Sequence, residues 1–413
     1  MPSGRRVGER RDPREGVRMQ ATVLVLGAGR MGAVAARELA RLPEVARVLV
    51  ADAKSETCRA AARAVGEKAQ PIPLPAAFLD GSLPEVASGV DAVVSCLPHG
   101  ASWQAFRAAA AGGWRLVDLA CDRPRERLGL QERAVRSGAV LVAGMGLAPG
   151  LSNVLVGRGC RVVPRPREAV IRVGGIPRQP RPPLGYHIVF CLESVLEACV
   201  RPAWVIRDGQ LRRVEALSDV EEIEYPQPLG RCECFITDGL GTLPFTLGHR
   251  GLWRMEEKTV RYRGYRERMA FLREAGFLGQ DEVEVDGVRV RPRAVTERLL
   301  EPRLRGDDED LVVLEVMVSG DGAEDKPRAR YFLLDEYDAR TCTTAMARTT
   351  VYPAVEVVRW ILAGELTEPG VWTPERLIGE NPERFQRLVR ALEERGIEIH
   401  IQEPTVPWPA GVF

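Results

Sequence analysis

Val23-Leu24-Val25-Leu26-Gly27-Ala28-Gly29-Arg30-Met31-Gly32 is the stretch on which the reading of the fold turns. Four consecutive apolar residues suit a strand buried on both faces of a parallel sheet. The glycines that follow fit G-x-G-x-x-G, and apolar residues then recur at helical spacing from Ala33 to Leu42, stopping before Pro43. A second apolar run, Arg47–Asp52, ends on an acid 20 residues after Gly32. Each position has a physical task in a dinucleotide site. Gly27 allows the tight turn, Gly29 lets a pyrophosphate approach the backbone, and Gly32 lets the helix pack close to the sheet. Arg30 and Met31 sit at the helix N-terminus, which faces the phosphates. Asp52 is placed to bond the adenosine ribose hydroxyls and to repel a 2′-phosphate, so NAD is expected over NADP. Lys54 and Arg30 blunt that preference. The alternative is a glycine turn in a sheet that holds no nucleotide.

Strand and helix alternate outward from this turn as far as Cys160. Helices are expected over Ser55–Val65, Ala101–Ala111 and Pro124–Arg136, with a short one capped by Ser82 and Glu85. Strands are expected over Asp91–Leu97, Trp114–Ala120 and Ala139–Ala143. Ligands of such sheets bind beyond the strands' carboxyl ends. Ser95, Cys96, Leu97 and Pro98 are therefore expected beside the ribose and nicotinamide, with Asp118 and Leu119 next to them. Met145 and Pro149 lie in the segment passing beneath the nicotinamide. His99 is a candidate substrate contact or proton shuttle, or a helix cap. Asp122 would bind a substrate ammonium, or cap the helix opening at Pro124.

After Cys160 the pattern changes. Asp208-Gly209, Asp286-Gly287 and Asp321-Gly322 punctuate alternating runs as hairpin turns do. Helices near Leu192–Val200, Tyr265–Ala275 and Ala294–Leu300 would cover one face of the resulting sheet. A long helix, Thr344–Ala363, is expected to bend at Pro353, and Asn381-Pro382 opens a last one. The fold class is thus α/β: an N-terminal Rossmann dinucleotide-binding domain (20–160) with an inserted α+β mixed-sheet domain for substrate binding and dimerisation (161–342). Helices over 343–402 return to the first domain, and tails span 1–19 and 403–413. A sheet face left uncovered makes a homodimer the expected assembly.

Composition narrows the function. The 413 residues carry 58 basic and 57 acidic side chains, a net charge of +1, against a nucleic-acid partner. Ala139–Leu151 is too short and glycine-rich to span a membrane. Nine scattered cysteines and four histidines with no tight spacing in sequence argue against a disulfide framework or a structural metal, and for a reducing, cytoplasmic setting. Only Lys54, Lys68, Lys258 and Lys326 are lysine, so an arginine carries little information by its presence and a lysine carries more.

Beyond the glycine turn, other segments resemble the saccharopine dehydrogenase superfamily, and within it the bacterial lysine 6-dehydrogenases. They are Gly146-Leu147-Ala148-Pro149-Gly150-Leu151-Ser152-Asn153, Val173-Gly174-Gly175-Ile176-Pro177, Pro182-Pro183-Leu184-Gly185-Tyr186 with Val189-Phe190-Cys191-Leu192-Glu193, Lys258-Thr259-Val260-Arg261-Tyr262-Arg263-Gly264, Thr344-Ala345-Met346-Ala347-Arg348-Thr349-Thr350, and Pro374-Glu375-Arg376-Leu377. The chain departs from the family pattern at Tyr265, where histidine is common, at His187-Ile188, and at Cys191. The resemblance implies hydride transfer from a C–N carbon to a nicotinamide. For L-lysine this is oxidative deamination at the ε-amine: the imine hydrolyses, and the product cyclises to a piperideine carboxylate. A saccharopine or carboxynorspermidine dehydrogenase-type reaction is the alternative, and a non-catalytic NAD sensor is another. A base must take the ammonium's proton before hydride can leave. Glu193, His187, Tyr186, Lys258 and Asp122 are the candidates for catalysis; Asn153, Thr242, His99 and Arg263 are candidates for touching the substrate. Each has an ordinary structural reading beside it: a solvated helix face for Glu193, packing against a proline turn for Tyr186 and His187, and a strand-edge cation for Lys258.

Overall fold

The computed structural model describes residues 20–74, 86–306, 309–321 and 327–404. The expected tail at 1–19, most of that at 403–413, the Ser82/Glu85 cap and Gly322 lie outside these residues. Two sheets organise the rest. The first has seven parallel strands in the order Gly370–Trp372, Val140–Val142, Arg115–Asp118, Ala92–Ser95, Ala21–Leu26, Val45–Asp52, Ala69–Pro73. Val23, Val25, Val94 and Val117 bury one face, and Leu24, Leu26, Val93 and Leu116 the other. This two-sided burial is why the strands read as unbroken Val/Leu runs. Helix Arg30–Ala40 lies on one face and packs against the long helix Ala345–Leu362, which also crosses Ala92–Ser95 and Arg115–Asp118.

The second sheet runs Glu221–Tyr225, Gly230–Ile236, Arg254–Tyr262, Pro166–Pro177, Asp310–Gly320, Arg328–Glu336, His400–Gln402, with the hairpin Ala203–Arg207/Gln210–Val214 attached to Arg254–Tyr262. It is antiparallel except where Arg254–Tyr262 runs parallel to Pro166–Pro177. The Asp-Gly turns form as the residues dictate: Asp208 and Gly209 take φ of 53° and 70°, Asp286 and Gly287 49° and 78°, the left-handed pair a two-residue hairpin needs. Asn381 caps its helix by accepting from Arg384 N at 3.1 Å.

Several elements differ from the sequence reading. The expected helix Pro124–Arg136 is two, Pro124–Leu128 and Gln131–Ser137, separated at Gly129. Ala69–Pro73 is a strand despite two prolines, which an edge position tolerates. The long helix spans Ala345–Leu362 with Pro353 inside it, within the expected bounds. The segment after Thr344 feeds both sheets: Gly370–Trp372 joins the first and His400–Gln402 the second. Glu403, expected in a tail, is buried and receives Arg158 Nε and Nη2, each at 2.7 Å.

Arg348 ties the long helix to the second sheet. Its guanidinium bonds both oxygens of Asp335 (2.9 and 3.1 Å), lies 3.1 Å from Asp338, and donates to the Arg395 and Gly396 carbonyls. Both Arg348 and Asp335 are buried, and burial pushes the Asp335 carboxyl up to about 7 although Arg348 pulls it down. Arg348→Met leaves that carboxyl without its cation and is expected to cost about 3–5 kcal/mol in urea unfolding. The pair variant Arg348→Met/Asp335→Leu should recover much of the loss; a wild-type midpoint for Arg348→Met alone would exclude this role.

Candidate active site

The first strand ends in a turn built by steric necessity. Gly27 has φ +88°, and a Cβ there would meet the Cys96 carbonyl oxygen at 2.9 Å. A Cβ on Gly32 would stand 1.7 Å from the Gly27 oxygen, so helix and turn touch backbone to backbone. Gly29 differs: a Cβ there would meet nothing within 4 Å. The protein does not need glycine at that position for its own packing, and the room fits a pyrophosphate. Asp52 braces the turn, its carboxylate accepting from Ala28 N at 2.7 Å and Lys54 N at 2.8 Å. Each oxygen keeps a further lone pair toward the cleft.

That cleft, about 1480 Å³, lies between the two sheets. Gly27, Gly29, Arg30, Met31, Asp52 and Lys54 form one end; Cys96, Leu97, Pro98, His99, Leu119 and Pro149 continue along the first domain. Opposite stand Glu193, Arg201, Thr237, Glu257, Thr259 and Arg261 from the second. A side chamber of about 680 Å³ shares His99, Glu193, Arg201 and Asp238 with the cleft and adds Asp122, Arg123 and Arg213. Among the described residues, no group of three His, Cys, Asp or Glu could hold a metal ion, and no helix is long and apolar enough to cross a membrane.

Glu257 is the group that sequence reasoning missed. On strand Arg254–Tyr262 side chains alternate, so Glu257, Thr259 and Arg261 face the cleft while Glu256 and Lys258 face away. Glu257 is buried, and its carboxyl accepts from Thr237 Oγ1 (2.6 Å) and Thr259 Oγ1 (3.3 Å). Burial raises its pKa to about 8; the threonine bonds oppose this, and Asp238 adds repulsion. Arg261 offsets only part of the rise. Its guanidinium sits 4.8 Å over the Tyr186 ring and 5.4 Å over Tyr265, and donates to the Val260 carbonyl. Tyr265 in turn stacks on Phe235. The usable signal was a Glu two residues before a Thr on a strand whose outward face is already charged.

The other candidates separate. Glu193 borders the cleft and is exposed, at the start of helix Leu192–Ala198. His99 lines both spaces. Lys258 does not reach the cleft: it is buried on the opposite face against Glu221 (2.6 Å) and the Asp219 carbonyl. Arg263 is at the surface, paired with Glu222 at 2.7 Å. Tyr186 is inside the core as the platform for Arg261, and His187 is buried beside Gly306. Asn153 and Thr242 are fully buried around Glu375, which accepts from both. Asp118 is buried too, holding Arg127 Nη1 at 2.7 Å and Ser102 Oγ at 2.6 Å. Asp122 takes the same guanidinium at 2.7 Å while bordering the side chamber. Ser95 and Met145 have no exposed surface and serve as packing. Lys258, Asn153 and Thr242 are claimed by partners far along the chain that local sequence does not show.

The chain matches two family models, the saccharopine dehydrogenase NADP binding domain over residues 23–142 and the saccharopine dehydrogenase C-terminal domain over 146–397. Among solved structures it is similar to the L-glutamate-forming saccharopine dehydrogenase of Saccharomyces cerevisiae, with TM-score 0.73 and 21% identity over 92% of this chain and 99% of that one. It is also similar to the homospermidine synthase of Legionella pneumophila in complex with NAD, with TM-score 0.58 and 12% identity over 94% and 93%.

Glu257 makes a signed prediction. Its folded pKa of about 8 lies above the ordinary 4.5. Between those values the folded protein holds a proton that the unfolded chain has released, so this group lowers stability as pH rises through the window. Glu257→Gln cannot ionise and should gain on wild type in urea midpoints from pH 5 to pH 8. Parallel curves would rule out the buried acid.

Proposed function

The chain belongs to the saccharopine dehydrogenase family, and on that premise we propose that it oxidises L-lysine at the ε-carbon with NAD. It is an NAD(P)-binding oxidoreductase of saccharopine dehydrogenase type. Glu257 carries the lysine reading. An alkylammonium becomes competent to lose hydride from its carbon only after losing a proton, and a carboxylate titrating near 8 is matched to take it. Thr237 fixes the orientation of that carboxylate by donating to one oxygen. The side chamber bears acids and arginines together, which suits the ammonium and carboxylate of an amino acid's far end. Arg261 is a further cation for a carboxylate, held still by its aromatic platform.

Bound at Gly27, Gly29, Arg30 and Asp52, a nicotinamide dinucleotide would supply the hydride acceptor. Asp52 favours NAD because its spare lone pairs suit ribose hydroxyls and its charge opposes a phosphate.

Purified protein with NAD and L-lysine should form NADH, read at 340 nm, with kcat/KM rising with pH through about 8 as Glu257 ionises. Glu257→Gln should lower kcat by about 10²–10⁴-fold. Turnover of saccharopine or a polyamine conjugate in place of lysine would move the substrate assignment. Tight NAD binding with no turnover of any amine would favour a sensor. Asp52→Asn should reduce the ratio of NAD to NADP affinity by about tenfold or more, measured by titration calorimetry; an unchanged ratio would remove Asp52 from that role.

A further inference from the structure

We propose that Arg201 is a positioning residue that holds His99 as a neutral imidazole with its proton on Nε2, so that the wall shared by the cleft and its side chamber offers an N–H donor and not a second cation. His99 is the first residue of helix His99–Gly112 and borders both the cleft and the side chamber. Arg201 comes from the other domain, just past helix Leu192–Ala198. Its Nη1 lies 3.3 Å from His99 Nδ1. A guanidinium has donors only and stays charged, so this bond has one sense: Arg201 donates and the Nδ1 lone pair accepts. A neutral imidazole has one N–H, which must then be on Nε2. Protonation would put an N–H on Nδ1, facing the guanidinium.

Arg201 is itself fixed. Its Nε is 2.9 Å from Asp238 Oδ2, while the other oxygen of Asp238 accepts from Trp204 N at 3.2 Å. The charges around His99 are divided. Burial and Arg201 push the imidazole pKa down, and Arg127 does so more weakly; Asp122 and Asp118 oppose them. Those two carboxylates are already engaged by Arg127 at 2.7 Å each. Glu193 borders the same space and is exposed to solvent. An imidazolium beside Arg201 would double the positive charge on the path of an incoming alkylammonium. The neutral donor keeps that path open and still bonds a substrate oxygen.

The kinetic consequence rests on the dehydrogenase reading; the spectroscopic one does not. The chain has four histidines, His99, His187, His249 and His400, so 15N-histidine labelling with His99→Gln assigns the His99 ring. Wild type should show the Nε2–H pattern at pH 7, with no protonation of His99 until below the ordinary range near 6.5. Arg201→Gln should raise the His99 pKa by about a unit or more and mix the tautomers, and Arg201→Lys should restore part of the depression. In turnover, Arg201→Gln should add an acid limb to the kcat/KM profile, and Arg201→Lys should remove much of it. An Nδ1–H tautomer in wild type, an ordinary His99 pKa, or one unmoved by Arg201→Gln would overturn the proposal. If Arg201→Gln does not fold, the wild-type spectra decide alone. If no amine is turned over while the spectra agree, the substrate reading fails and this one stands.

Discussion

The desolvation of one carboxyl group organises the cleft. In water Glu257 would be an anion; in its place on strand Arg254–Tyr262, burial withdraws that stabilisation and two threonine hydroxyls return only part of it. What matters equally is the handling of the nearest cation. Arg261 sits on the same face four residues on, where a direct ion pair would drop the carboxyl pKa and make it a poor base in mildly alkaline solution. Instead its guanidinium lies over Tyr186 and Tyr265 and bonds the Val260 carbonyl. Tyr265, a departure from the family pattern, thus has a physical use. A tyrosine ring stacked on Phe235 holds a cation by its face, which a charged histidine would not do.

Much of the fold could be read from the residues because local chemistry agreed with the final structure. The glycine turn and the Asp208-Gly209 and Asp286-Gly287 hairpins are set by backbone geometry that few residues permit, and these fell where expected. The elements that escaped notice are short and depend on partners elsewhere. Gly370–Trp372 and His400–Gln402 are strands because a sheet edge awaits them, with little in three residues to declare it. The expected helix Pro124–Arg136 is two helices because the first turn-and-a-half ends at Gly129.

The site was less legible than the fold, and the reason is register. Lys258 attracted attention as a rare lysine, yet its neighbour Glu257 faces the cleft. A period of two places one of them inside and one outside, but only the sheet's other strands say which. Asn153 and Thr242 failed differently. Asn153 was expected near substrate from its place at the start of the helix after Pro149 and Thr242 from its Gly-rich loop, and both are consumed by Glu375, far along the chain. Arg127 and Arg348 serve buried ion pairs and Arg158 a half-buried one, all outside the cleft.

The strand Gly370–Trp372 has a consequence for biosynthesis. It completes the dinucleotide sheet by pairing with Val140–Val142, but the whole second domain separates the two in the chain. During translation the Val-Leu-Val edge therefore emerges from the ribosome long before its partner exists. Unpaired apolar edges of this kind recruit other chains. The nascent nucleotide domain must wait with that seam open until the last part of the chain is made.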